Sequence, residues 1–279
     1  MRTYSLDDVF ETRKRRDSWW TVYFVDPVAC RVALPIANHT RLTPNALTVL
    51  SLVLGAVSAT CFALNHHVAG AVVFYLSFMI DCVDGKIARL KGTGTPFGLW
   101  LDYVGDRVRV VLCAGGLAYG QYALTSDVRY VVLGAAVAVL DLFRYVNAPQ
   151  MKRVREAVRE ERGERGPQPE SEPESDEDID SLERVALVPR ARRPRSFPRR
   201  FNRFLARHRV RSHLISGIEF HAAVFVVAPL AGAWALIPLA AAAGVLLLVN
   251  EVFLVYRMWR FTRRHGVPSS QESREHVLV

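Results

Sequence analysis

The chain has 279 residues, of which 51% are hydrophobic, and carries a formal charge of +9 at neutral pH. That combination describes a membrane protein with basic surfaces. It argues against a nucleic-acid binder, because the arginines flank apolar spans instead of forming a separate basic domain. Anionic lipid head groups are the more economical partner. The four cysteines (Cys30, Cys61, Cys82, Cys113) are scattered, and their spacing fits neither a zinc site nor a disulfide framework. They are expected to be small packing residues.

Residues 1–17 form a charged tail containing Arg13, Lys14, Arg15 and Arg16. With no apolar run in it, no signal peptide is expected. Residues 18–40 are amphipathic, with Trp19, Trp20, Tyr23 and Phe24 suited to a membrane interface. They predict an interfacial helix; the alternative is a re-entrant segment, since Val28 to Ala37 is short and apolar. At Thr43-Pro44, a proline at the first helical position starts the first span.

Six apolar segments are long enough for a bilayer: 45–64, 68–90, 98–122, 128–148, 213–234 and 236–259. A crossing takes about 20 helical residues. The first four lie within 41–149 and the last two within 213–260, followed by a tail at 261–279. The fold class expected is an all-α polytopic bundle of six transmembrane helices with an N-terminal interfacial helix. The linker 150–212 contains a stretch rich in Pro, Glu, Ser and Asp (Gly166 to Glu183), expected to be disordered. A basic stretch (Arg190 to Arg211) follows it and is expected to rest on anionic lipid, with a regulatory role as the alternative.

Lys and Arg cluster before the first span, at Arg89 and Lys91, through 152–211, and at Arg257, Arg260, Arg263 and Arg264. The opposite loops are poor in them. The positive-inside rule therefore puts both termini and the loop at residue 90 on the cytoplasmic side, in a cell membrane of bacterial type.

The second and third spans carry four acids. Asp81 and Asp84 are three apart, and Asp102 and Asp106 are four apart, so on helices each pair shares a face. Carboxylates at membrane depth are costly, and four on converging faces imply a compensating cation. Their oxygen chemistry points to Mg2+ or Mn2+. Arg89 alone does not neutralise four acids. Buried acids also occur in transporters, but those distribute along the membrane depth, whereas these cluster towards one side. A non-catalytic scaffold recruiting through the linker would leave the acids unexplained.

The spacing D-x2-D-G-x2-A-R-x8-G-x3-D-x3-D, carried by Asp81, Asp84, Gly85, Ala88, Arg89, Gly98, Asp102 and Asp106, resembles the signature of the CDP-alcohol phosphatidyltransferases at all eight positions. The resemblance implies that a hydroxyl attacks the diphosphate of a CDP-linked lipid and CMP leaves. It implies two divalent ions held by Asp81, Asp84, Asp102 and Asp106, with Asp106 also the general base. It assigns donor binding to Gly85, Arg89 and Thr95, and to Asn45 and Thr48 through the Pro-Asn-x-x-Thr pattern at 44–48. CDP-diacylglycerol is the expected donor. The alternative is a CDP-activated head group with a lipid or polyol acceptor, because Asp-Gly-Lys-x-Ala-Arg also occurs in aminoalcohol phosphotransferases.

Arg144, Glu219 and His221 are candidate acceptor contacts, with Asp141 and Glu251 as further pocket candidates. Each is equally open to an interhelical pair. Asn147, Pro149, Phe220 and His221 depart from the basic pattern of members that use a sugar phosphate, which weighs against such an acceptor and leaves an uncharged or amino alcohol open. Lys86 is as open to snorkelling to the interface as to a role at the site. Homodimers are common in that family, though no residue of this chain demonstrates one.

Overall fold

The computed structural model describes residues 3–161, 208–209 and 215–265. The acidic stretch from Gly166 to Glu183 and almost all of the basic stretch that follows lie outside them. Among the described residues there is no strand. The helices are α1 (Leu6–Glu11), α2 (Asp26–His39), α3 (Pro44–Ala63), α4 (His67–Lys91), α5 (Pro96–Thr125), α6 (Val128–Glu161), α7 (Gly217–Ala231) and α8 (Ala233–His265). Single π turns precede α2 (Thr21–Val25) and interrupt α7 (Ala223–Val227).

Local chemistry sets the ends of the helices that carry the motif. Thr43 and Thr95 each cap a helix through a side-chain oxygen, accepting from Ala46 N and Gly98 N, and a proline follows each cap. Between them, α4 stops where Gly92 takes the left-handed conformation at φ 63°. The Thr-Pro signal read at residues 43–44 therefore recurs at 95–96, so both neighbours of α4 start from a defined cap.

Four helices are long and apolar enough to cross a membrane: α3, α4, α6 and α8. Each turns large apolar side chains outward; Val49, Leu50, Val53 and Val57 of α3 are all more than 40% exposed. Helix α5 has the length but carries Asp102, Asp106, Arg107 and Arg109. Helix α7, expected over 213–234, is shorter than a typical crossing, running Gly217–Ala231. Helix α6 departs from expectation in the other direction. It passes through Pro149 and continues to Glu161, so the start of the expected linker is helical. Its extension is rich in Arg and Glu, good helix formers, and Lys152 pairs with Glu156 one turn on.

The chain divides into two compact units, Met1–Leu142 with Ala191–Leu247, and Phe143–Arg190 with Leu248–Val279. In the first, α3 is the central element, and α4 and α5 both pack on it. Side chains at Gly116 and Gly120 would run into the carbonyls of Ala59 and Phe62, so α5 approaches the α3 backbone as small residues allow in membranes. Ser58 donates to Gly70 O (2.8 Å) and Ser77 to Ser51 O (2.6 Å), stitching α3 to α4. The larger apolar core joins Phe62, Phe74, Val110, Phe220, Phe225 and Leu236. A smaller one seats α1 and α2 on α4 through Val9, Val25, Cys30, Val83 and Ile87. Burial pushes the Cys30 thiol up, as expected of an inert packing residue. In the second unit, Glu251 accepts from Arg144 Nε (3.1 Å) and Asn147 Nδ2 (3.0 Å), beside a contact of Met151, Leu254 and Met258.

Candidate metal centre

Helix α4 contributes Asp81 and Asp84 and helix α5 contributes Asp102 and Asp106, each pair on one helical face as its spacing requires. Carboxylate oxygens of Asp81, Asp102 and Asp106 come within 4.8 Å of one another. Asp84 is not in that trio; it is buried and accepts from Thr48 Oγ1 at 2.5 Å. Helix α3 thus supplies hydroxyls to both acids of α4, since Ser51 Oγ donates to Asp81 Oδ1 at 3.1 Å. Hydrogen bonds of this kind fix the direction in which a carboxylate presents its remaining lone pairs.

The counter-charge comes from a residue that the motif does not contain. Arg109, only 3% exposed, pairs with Asp106, lies 3.4 Å from Asp81 Oδ1, and donates to Ser77 Oγ at 3.3 Å. Its stem lies against Gly55 of α3, where a Cβ would meet Cγ at 2.8 Å. The available signal was an arginine one turn after Asp106 within an apolar run. Arg107 adds a longer contact, 3.6 Å from Asp106 Oδ2.

The residues expected on the donor side form two groups. Asn45 and Thr95 converge on Gly98, where any side chain would collide with Asn45 Oδ1. A glycine is needed there so that the start of α3 can meet the start of α5. Arg89 is exposed and donates from Nε to the carbonyl of Thr12 (2.9 Å). Its guanidinium lies about 3.5 Å from where a Cβ on Gly85 would sit.

For Lys86, neither of the two readings open in the sequence describes what the structure shows. It does not snorkel to an interface; it is 4% exposed and pairs with Asp26 of α2 at 2.7 Å. Helix α2 covers this face of α4, and a buried ammonium without a partner would be strongly destabilising. The acceptor-side candidates are likewise engaged. Glu219 caps α7 by accepting from Ser216 N (2.8 Å) and the Ser216 hydroxyl, and it also accepts from Trp19 N (3.0 Å). His221 Nε2 donates to Asp141 Oδ1 (2.7 Å), and Arg144 pairs with Glu251 in the second unit.

A family model described as CDP-alcohol phosphatidyltransferase matches residues 41–162. A bifunctional IPC transferase and DIPP synthase of Aquifex aeolicus is 42% identical over 67 residues, which are 24% of this chain and 15% of that protein. The phosphatidylinositol phosphate synthase of Mycobacterium tuberculosis is 37% identical over 82 residues, 28% of this chain and 38% of that protein. The chain therefore spans less than half the length of these curated relatives. A crystal structure of the M. tuberculosis phosphatidylinositol phosphate synthase with CDP-DAG bound aligns at a TM-score of 0.45 and 19% identity, over 85% of this chain and 94% of that one. The matched residues, 41–162, carry the whole acidic motif and are similar to the CDP-alcohol phosphatidyltransferase family.

Proposed function

We propose that the chain is an integral membrane enzyme that transfers a phosphatidyl group from CDP-diacylglycerol to an alcohol and releases CMP. The observation that carries this reading is the approach of the half-buried Asp81, Asp102 and Asp106 within 4.8 Å, beside the buried Arg109. A donor set made only of carboxylate oxygens suits Mg2+ or Mn2+. Asp84, one turn on from Asp81, completes a set of ligands sufficient for two ions. When bound, such ions neutralise the diphosphate and stabilise the departing CMP.

The remaining steps belong to side chains of the protein. Thr48 and Ser51 hold Asp84 and Asp81 in fixed orientations. Arg89 offers a planar fork to a donor phosphate beside Gly85, whose missing side chain leaves room for the nucleotide. Asn45, Thr48 and Thr95 line the nucleotide side. The acceptor oxygen attacks the lipid-linked phosphorus, and the bond from that phosphorus to CMP breaks with its electron pair leaving on CMP. The hydroxyl proton passes to the carboxylate of Asp106.

The acceptor favoured is an alcohol without a phosphate of its own. Both basic residues among the acceptor-side candidates already meet a carboxylate, Arg144 with Glu251 and His221 with Asp141. In the membrane, α5 and the shorter α7 join α3, α4, α6 and α8 as the six spans. The charges of α5 turn towards α3, α4 and α6 instead of lipid. Helix α2, preceded by the stacked Trp20 and Phe24, lies at the interface, and the basic loops hold both termini and the acids on the cytoplasmic side.

The test is CMP release from CDP-diacylglycerol by the purified chain with Mn2+ or Mg2+ and a panel of alcohols. Release that requires both metal and an alcohol is expected, with neutral or amino alcohols ahead of phosphorylated polyols. Absence of CMP release with every alcohol would remove the activity. Fastest release with inositol phosphate or glycerol phosphate would remove the acceptor assignment alone.

A further inference from the structure

Asp106 is flanked by two arginines of its own helix, and they treat it differently. Arg109 pairs with Oδ1. Arg107 Nη2 stands 3.6 Å from Oδ2, beyond hydrogen-bond length. Neighbouring residues on a helix do not face each other, so Arg107 needs an outside hold to take a defined place beside Asp106. That hold comes from α6. Asp141, 1% exposed, accepts from Arg107 Nη1 with both oxygens, at 2.8 and 2.9 Å. Asp141 is in turn fixed from α7, where His221 Nε2 donates to its Oδ1 at 2.7 Å. His221 is the second residue before the π turn of α7, the kind of local irregularity that redirects a helical face. Three helices thus converge on one guanidinium.

We infer that Asp141 and His221 are positioning residues, which act through Arg107 to keep its guanidinium off Oδ2 of Asp106. The inference rests on the proton-accepting role proposed for Asp106. An arginine hydrogen-bonded to that oxygen would occupy the lone pair that receives the hydroxyl proton and obstruct the incoming hydroxyl. With Asp141 drawing Nη1 away, the charge of Arg107 stays near Asp106 without capping it. Loss of Asp141 lets Arg107 collapse onto Asp106, and removing Arg107 as well relieves the block.

This reversal separates positioning from a merely structural role. In the CMP-release assay, Asp141→Asn should lower kcat by about 10- to 100-fold, the scale of a small misplacement at a reacting centre. Its KM for CDP-diacylglycerol should stay within about twofold, since donor contacts are untouched. The double variant Asp141→Asn with Arg107→Gln should recover to the level of Arg107→Gln alone, a strongly non-additive cycle. If Asp141→Asn does not fold, the cycle is run with His221→Leu in its place. There, His221→Gln, which retains an N–H for Asp141, should remain within about threefold of the parent. Additive losses in the cycle, or equal falls in kcat, KM and melting temperature, would overturn the inference. Asp106→Asn serves as the control. If that variant keeps full turnover, the proton-acceptor reading itself has failed. If it is inactive while the cycle is additive, only the positioning role falls.

Discussion

Helix α4 carries buried charge on two faces. Towards α2, Lys86 meets Asp26 at 2.7 Å with Arg209 a further 3.4 Å from the same acid, so negative charge is matched on the spot. Towards α3 and α5, Asp81, Asp84, Asp102 and Asp106 gather around one fully buried arginine, Arg109. The first arrangement is complete within the protein and reads as a fastener for the N-terminal helices. In the second, acids of two helices crowd together. An excess of like charge in low dielectric is unfavourable without a cation, and such an excess marks a binding site more reliably than buried charge as such.

Removing a charge should therefore have opposite consequences on the two faces. Lys86→Met breaks a matched pair and leaves Asp26 buried. It should cost about 3 kcal/mol of stability, the lower end for a broken buried pair because Arg209 still faces the acid. Turnover by the folded fraction should change little. Thermal unfolding of Lys86→Met beside the parent, in one detergent, measures this; an unchanged midpoint would mean the pair does not fasten α2.

Asp106→Asn relieves like-charge crowding, so the metal-free variant should be no less stable than the parent. Its turnover should fall by at least about 10²-fold, the low end of general-base contributions. A variant that is both destabilised and active would invert the comparison. Arg89→Lys, at the edge of the acidic face, keeps the charge but loses the fork and should weaken the apparent affinity for the CDP-linked donor by about tenfold. Direct binding of a CDP-linked lipid to the folded variant reports it, and unaltered affinity would reduce Arg89 to a partner of the Thr12 carbonyl. Ser51→Ala should have the smallest effect, about 1 kcal/mol in transition-state stabilisation, because Asp81 loses one orienting hydrogen bond and keeps Arg109. Kinetics of Ser51→Ala with metal in excess would detect it.

The acids were legible because helical periodicity alone decides which residues share a face, and the gaps of three and four residues encode it. The caps were equally local, since Thr43-Pro44 and Thr95-Pro96 act within a few residues. The partners were not legible. Nothing near Arg109 in sequence shows that Asp81, 28 residues earlier, would face it. Lys86 had an equally good alternative at an interface until α2 was seen to cover that side of α4. The fates of Glu219 and His221, a helix cap and an interhelical pair, depend on Trp19 and Asp141, both far away along the chain. The continuation of α6 through Pro149 to Glu161 was not legible, because the hydropathy that marks the span ends near residue 148.

The central claim is that the clustered acids hold a divalent metal needed for transfer from a CDP-linked lipid. Its most direct test is CMP release after chelation with EDTA, followed by addition of single metals. Release should vanish on chelation, return with Mg2+ or Mn2+, and return poorly with Ca2+, whose larger and looser coordination misplaces the phosphates. Full CMP release in EDTA would contradict the account.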